Sequence, residues 1–87
     1  MEFIYTKSFR KAFTNLNERQ QAAVQNALES FQNDRTLPAL RDHALKGKLL
    51  GLRSISAGWD LRIIYREQDN FVTVILLDAG GHNQVHG

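Results

Sequence analysis

The segment LRIIYREQDNFVTVILL, residues 61–77, decides the fold, because it holds two apolar runs separated by a polar turn. Residues 61–66 and 71–77 are rich in β-branched, leucine and aromatic side chains, which favour extended strands. The polar residues 68–70 between them are of the types that form tight turns. The segment therefore predicts two antiparallel strands joined by a short connection.

The first of these strands has two chemically different faces. Because side chains alternate along a strand, Leu61, Ile63 and Tyr65 share one face, whereas Arg62 and Ile64 share the other. The apolar set suits a core covered by helices, so Arg62 is expected on the open face of the sheet. Its planar guanidinium is suited to binding phosphate, although a charged side chain on such a face is commonly no more than solvated.

Two further strands extend the sheet. Residues 49–56 form a run that precedes a glycine turn, and this predicts a three-stranded antiparallel meander. Residues 2–5 predict a short strand at an edge of the sheet. Arg53, on the first strand of the meander, shares the open face with Arg62 if the register allows it.

Two amphipathic helices are predicted between the first strand and the meander. Thr6 or Ser8 is suited to cap the first helix, and residues 17–20 resemble a capping box that starts the second. Pro38 prevents the second helix from continuing beyond residues 33–35. Each helix has one apolar stripe, formed by Phe9, Ala12, Phe13 and Leu16 in the first and by Ala23, Val24, Ala27, Leu28 and Phe31 in the second.

The expected fold class is α+β, with an N-terminal strand and an antiparallel helix pair packed on a small, mainly antiparallel sheet. The 87 residues suffice for a single domain, residues 1–87. Residues 34–48 form a long connection that contains proline, glycine and basic residues. Long connections of this kind in small domains are often functional.

The composition excludes several kinds of protein. The chain has no cysteine, so it forms neither disulfides nor thiolate metal sites. Its apolar runs are far shorter than the roughly 18 residues that cross a bilayer, so we expect a cytoplasmic protein without membrane contacts. The net charge is only +2, yet residues 46–66 carry five basic side chains against Asp60 alone. This favours a polyanion-binding surface, although such charge is also common on proteins that bind no nucleic acid.

Three histidines lie in the second half of the chain, His43 before the meander and His82 and His86 after it. Imidazole is the only side chain whose unperturbed pKa, about 6.5, allows proton donation and acceptance near neutrality. With arginines nearby, the three favour acid–base chemistry on an anion; the alternative is that they are simply solvated. The spacing of His82 and His86 would suit a metal pair on a helix, but Gly80 and Gly81 disfavour a helix there. No metal and no other cofactor is expected.

Trp59 and Asp60 precede the strand that carries Arg62. Trp59 is suited either to stack on a nucleobase or to cap the edge of the core. Asp60 is suited either to orient a histidine or pair with an arginine, or merely to occupy a turn.

Four sequence blocks together resemble a known family. They are TLPALRDHALKG at residues 36–47, GLR at 51–53, LRIIY at 61–65 and AGGHNQVHG at 79–87. In order and spacing they are similar to the RelE/ParE toxin superfamily of bacterial toxin–antitoxin systems, and above all to its YafQ-like branch. The resemblance implies a type II toxin that cleaves mRNA on the ribosome as a metal-independent endoribonuclease and that a cognate antitoxin neutralises. The alternatives are a non-enzymatic ParE-like toxin that inhibits DNA gyrase and a catalytically inert relative.

The resemblance also implies roles for individual residues. It places His43, Asp60 and His82 at catalytic positions of the branch, and Arg62 at the position of an arginine that contacts phosphate. We expect the two histidines to transfer protons and Asp60 to orient or charge-stabilise one of them. His86 stands where the branch usually has Phe or Tyr.

Contacts with the RNA are expected from Lys46, Lys48 and Arg53 along its backbone, and from Trp59 on a base. Two positions depart from the branch. Ser56 stands where the branch has a further histidine, and Trp59 precedes the aspartate that its counterpart follows. His86 is therefore either a replacement for that missing histidine, a base-stacking ring, or a solvated residue.

Overall fold

The computed structural model describes residues 1–58 and 60–81, which form two helices on one face of a five-stranded sheet. The elements are β1 (Glu2–Tyr5), α1 (Lys7–Thr14), α2 (Glu18–Asn33), β2 (His43–Ala44), β3 (Arg53–Ala57), β4 (Leu61–Gln68) and β5 (Thr73–Gly81). The strand order is β1-β5-β4-β3-β2, with β1 parallel to β5 and the other pairs antiparallel. The predicted α+β class, the meander and the edge position of the first strand are confirmed.

Both helices begin where the sequence predicts. The Thr6 hydroxyl accepts a hydrogen bond from the Phe9 amide at 3.1 Å and caps α1. At the start of α2, the Asn17 side chain accepts from the Gln20 amide at 2.8 Å, and the Gln20 side chain accepts from the Asn17 amide at 3.0 Å. This reciprocal capping box satisfies two amides that the helix itself leaves without partners.

The core lies between the helices and the face of the sheet that carries Tyr65 and Ile63. The Phe31 ring of α2 contacts the Tyr65 ring edge-on at 5.2 Å between centroids. Part of each predicted helix stripe is buried there against side chains from β3, β4 and β5, and Phe13, Leu16 and Ala23 pack half-buried against this core. The buried members are Phe9, Val24, Ala27, Leu28, Phe31, Leu40, Ile55, Ala57, Leu61, Ile63, Tyr65, Val74, Leu76 and Ala79.

The strand predicted over residues 49–56 is wrong at its start, because β3 begins only at Arg53. Residues 47–49 instead form a single 3-10 turn. Gly47 and Gly51 have φ values of +64° and +95°, which bend the backbone in a way that glycine tolerates best. The connection thereby folds back, and its leucines pack on Ile64 of β4 as a second apolar cluster. The leucines concerned are Leu45, Leu49 and Leu52.

The β4–β5 hairpin is longer than the sequence predicts. β5 runs over Thr73–Gly81 rather than residues 71–77, since Asp69, Asn70 and Phe71 all adopt left-handed φ values and form the turn. The Glu67 carboxylate accepts from the Phe71 amide at 3.0 Å and stabilises this turn. Within the described residues, neither helix is long and apolar enough to cross a membrane.

Candidate functional site

His43 lies on β2, at the edge of the sheet, and is exposed. Its Nδ1 atom is 2.7 Å from the carbonyl oxygen of Arg41. Because a carbonyl can only accept, Nδ1 carries the proton in the neutral ring. The lone pair is then on Nε2, so neutral His43 is in the tautomer in which Nε2 can accept a proton.

Arg41, whose backbone carbonyl accepts the hydrogen bond from the His43 imidazole, has a left-handed backbone at φ 50° and ψ 43°. This conformation is unfavourable by about 1–2 kcal/mol for a residue with a side chain. It ends the 3-10 turn Pro38–Leu40 and directs the chain into β2. The turn thus places the Arg41 carbonyl beside the imidazole two residues further on.

His43 and Arg62 share the face of the sheet opposite the helices. Ser54 of β3 is the partner of both His43 and Ile64, and Ser56, two residues on, is the partner of Arg62. Residues paired across strands project to the same side. With strands about 4.8 Å apart and a rise of about 3.3 Å per residue, the Cα atoms of His43 and Arg62 are about 12 Å apart. Two long side chains at that separation can reach one phosphodiester from either side.

Arg62 is partly exposed, and its Nη1 donates to the Leu61 carbonyl at 3.1 Å. Among residues 1–58 and 60–81, no carboxylate lies within ion-pair distance of its guanidinium. A cation without an acidic partner on an accessible face is available to an external anion. The predicted position of Arg62 on the face away from the core is therefore confirmed.

Lys46 and Lys48 are exposed on the connection between β2 and β3. The leucines that flank them pack on Ile64. Ile64 follows Arg62 by two residues on β4 and projects from the same face of the sheet. This packing fixes a basic connection beside His43. The face predicted to be open is in consequence partly covered, but by a segment that brings positive charge to it.

Asp60 is exposed in the turn directly before β4, and Leu61 beside it pairs with Gly81 at the end of β5. Trp59, His82 and His86 lie outside the described residues. Within the described part of the chain, no group of three His, Cys, Asp or Glu side chains could hold a metal ion.

Arg53 does not share the face of Arg62, so that alternative is wrong. It pairs with Tyr65 across β3 and β4, which turns its side chain to the helix side of the sheet. Its Nε donates to the Tyr65 hydroxyl at 3.0 Å and to Oδ1 of Asp42 at 3.3 Å. The predicted role on the RNA backbone is not tested by this geometry, which gives the guanidinium two internal partners.

Asp42 was not among the candidate residues, yet it is the centre of this arrangement. Its side chain is only 8 % exposed, and its Oδ1 accepts a short hydrogen bond from the Tyr65 hydroxyl. Arg35 approaches Oδ2 at 3.7 Å, and its guanidinium lies 3.7 Å from the centre of the Phe71 ring. We refer to Asp42, Arg35, Arg53 and Tyr65 as the Asp42 cluster.

Burial and the hydrogen bond to Asp42 raise the pKa of the Tyr65 hydroxyl well above its ordinary value. The phenol is therefore a permanent donor to the carboxylate at physiological pH. Two features of the sequence could have indicated the cluster. An acid directly precedes His43, and a tyrosine stands on the core face of β4, where its hydroxyl needs a polar partner.

Comparisons with known proteins fit this arrangement. The family model of YafQ, a bacterial toxin of type II toxin–antitoxin systems, matches residues 1–87. No curated protein sequence matches the chain.

Several solved structures have the same fold. YafQ from Escherichia coli BL21(DE3) is 21% identical, with a TM-score of 0.77 over 99% of this chain and 98% of that one. The E. coli DinJ–YafQ toxin–antitoxin complex is 21% identical, with a TM-score of 0.75 over 99% and 97%. The toxin–antitoxin complex RelBE2 from Mycobacterium tuberculosis is 26% identical, with a TM-score of 0.75 over 93% and 96%.

Proposed function

The chain belongs to the YafQ family of bacterial type II toxins, and we propose that it is a metal-independent endoribonuclease that cleaves mRNA on the ribosome. The observation that carries this proposal is that His43 and Arg62 project from the same accessible face of the sheet. A base with its lone pair exposed and a cation without an acidic partner are the two groups that phosphodiester cleavage needs most.

The reaction begins when Nε2 of His43 removes the proton from a ribose 2′-hydroxyl. The 2′-oxygen attacks the adjacent phosphorus, the bond to the 5′-oxygen breaks, and that oxygen leaves with a proton from an acid. The products are a 2′,3′-cyclic phosphate and a 5′-hydroxyl. Each positioned proton donor or acceptor contributes roughly 10²–10⁴-fold to the rate.

Arg62 stabilises the charge that develops on the non-bridging oxygens as phosphorus becomes five-coordinate. Its guanidinium can donate to two phosphate oxygens at once. Lys46 and Lys48 hold the flanking RNA backbone from the connection beside His43, where both are exposed.

The proposed acid is His82, and this assignment rests on the resemblance and on the family match, which extends over the C-terminal residues. Asp60 orients or charge-stabilises a histidine in the same proposal. Trp59 stacks on a base. His86 either stacks on a second base or replaces the histidine that the branch has at the position of Ser56.

A cognate antitoxin is the proposed protein partner. The E. coli DinJ–YafQ and the M. tuberculosis RelBE2 structures are toxin–antitoxin complexes. Ribosomes and mRNA are the other partners, so the proposed place of action is the cytoplasm.

The test is primer extension on an mRNA translated in a reconstituted system with purified toxin. We expect wild-type protein to produce cuts in phase with the codons, and His43→Ala or Arg62→Ala to reduce cleavage at least about 100-fold. Arg19→Ala, which removes an exposed cation from α2, is the matched control and should cleave normally. If both site variants cut like the control, the assignment is wrong. An SOS response in cells without mRNA cuts would favour gyrase inhibition instead.

A further inference from the structure

We infer that Asp42, Arg53 and Tyr65 are positioning residues, which act through the backbone of β2 to hold the His43 imidazole in its Nδ1–H tautomer. This inference rests on the proposed role of His43 as a base. None of the three needs to touch RNA for it to hold.

Side chains around β2 alternate between the two faces of the sheet. Ala44 pairs with Arg53, whereas His43 pairs with Ser54, so neighbouring residues project to opposite faces of the sheet. Asp42 contacts Arg53 and Tyr65 on the helix side. The chain is therefore anchored on one face immediately before it presents His43 on the other.

β2 is held from its ends, by Leu45, which packs on Ile64 directly after it, and by Asp42 directly before it. The strand has only two residues, His43 and Ala44, and both are exposed. The residue before Asp42 is Arg41, with its left-handed backbone. Since the Arg41 carbonyl is the acceptor for Nδ1 of His43, any movement of Asp42 displaces both ends of that hydrogen bond.

The hydrogen-bond donors of the Asp42 cluster have a fixed order. Asp42 can only accept, so the Tyr65 hydroxyl donates to it and itself accepts from Nε of Arg53 at 3.0 Å. Nε of Arg53 also donates to Asp42 at 3.3 Å. A carboxylate that is 8 % exposed requires such partners. Each donor has a defined direction, so the cluster fixes the position of Asp42 rather than merely neutralising its charge.

Loss of this anchoring should lower the rate of catalysis. Displacement of a reacting group by about 1 Å can reduce a rate about 100-fold, even when substrate binding is unaffected. Tyr65→Phe removes only the hydroxyl and keeps the ring in contact with Phe31. We therefore expect a 10- to 100-fold lower kcat in this variant, with KM within about two-fold of the wild type.

The experiment is ¹H–¹⁵N spectroscopy of the histidine rings in the full-length chain, at a pH at which His43 is neutral. In the wild type, the His43 ring should be mainly in the Nδ1–H tautomer. In Tyr65→Phe and Arg53→Lys it should shift toward a mixture of both tautomers. Asp42→Asn keeps an acceptor oxygen in place and should change the ring less than Asp42→Ala. Tyr5→Phe removes an exposed phenol, 46 % accessible, and is the matched control.

A His43 ring with unchanged tautomer in Tyr65→Phe, Arg53→Lys and Asp42→Ala would overturn the inference. Circular dichroism identifies any variant that does not fold, and Arg53→Lys, which keeps the positive charge, then decides. The two proposals fail in different ways. If the ring responds but the wild type cuts no mRNA, the proposed function fails and the positioning stands. If the wild type cuts mRNA and Tyr65→Phe cuts equally well with its ring unchanged, only the positioning fails.

Discussion

Replacement of Ser54 by alanine is expected to stabilise the chain. Ser54 lies in β3 between His43 and Ile64 and is completely buried. Its hydroxyl has no hydrogen-bond partner among the residues that the structure describes. Burial of a hydroxyl without a partner costs about 1–3 kcal/mol. Removing the oxygen leaves a void smaller than a methyl group, which costs a few tenths of a kcal/mol at about 24 cal/mol per Å³.

The balance is a gain of about 1 kcal/mol in the free energy of unfolding, which raises Tm by about 4–8 °C in a chain of this length. Urea denaturation followed by circular dichroism measures the first quantity, and calorimetry measures the second. The matched control is Ser56→Ala, two residues along the same strand. Ser56 is 6 % exposed rather than completely buried, and among the described residues only the Ser54 hydroxyl is sealed from solvent without a partner, so loss of the Ser56 hydroxyl should change stability by less than about 0.5 kcal/mol.

A lower free energy of unfolding in Ser54→Ala, with that of Ser56→Ala unchanged, would contradict this prediction. That result would mean that the Ser54 hydroxyl has a favourable partner in the folded chain. Because the hydroxyl is inaccessible, cleavage by Ser54→Ala should equal that of the wild type. A loss of cleavage without a loss of stability would assign Ser54 to the site beside His43.

Four further outcomes follow from the same structure. Thr6→Ala removes the cap of α1 and the 2.6 Å hydrogen bond to the Leu76 carbonyl, and should cost about 1–2 kcal/mol in urea denaturation. Ile64→Ala empties the centre of the second apolar cluster and should cost about 2–5 kcal/mol, with weaker RNA binding because Lys46 and Lys48 lose their support. Arg62→Lys keeps the charge but not the two-pronged donor, so cleavage should fall about ten-fold, which corresponds to about 1.4 kcal/mol. Because the pKa of Tyr65 is raised in the folded chain, stability should be unaffected below about pH 10 and should fall above it by up to about 1.4 kcal/mol per pH unit; alkaline unfolding of Tyr65→Phe should lack that component.

The elements predicted correctly are those that local sequence specifies. The capping box at Asn17 and Gln20 forms from residues three apart, and the helix stripes follow from the 3.6-residue period. The family resemblance is confirmed by the match over residues 1–87. The elements that the sequence did not indicate depend on distant partners. β2 has two residues and exists only because it pairs with β3, and β5 extends through Gly80 and Gly81, whose type is disfavoured in strands.

The residues of the candidate site likewise divide into those that local sequence could place and those that depend on distant partners. Arg62 could be placed on the face away from the core because alternation within one strand decides it. The face on which Arg53 lies could not be predicted, because it depends on where β3 begins. The start of β3 depends in turn on the bend at Gly47 and Gly51. Asp42 was missed because a carboxylate next to an exposed histidine is ordinary in sequence. Only the tertiary fold shows that it is buried against Tyr65.

The adjacency of Asp42 and His43 has a structural meaning that neither residue has alone. At the edge of a sheet, consecutive side chains project to opposite faces, so one residue of a pair can be fixed in the interior while the other faces substrate. Asp42 projects to the helix side of the sheet, where buried donors are available, and His43 projects to the side that also carries Arg62. Exchanging the two residues would place a carboxylate beside the proposed phosphate site and an imidazole beside Arg53. The order acid-then-histidine therefore follows from the geometry of the edge strand, and the reversed pair should lose both the proposed base on the Arg62 face and the anchor of β2 on the helix side.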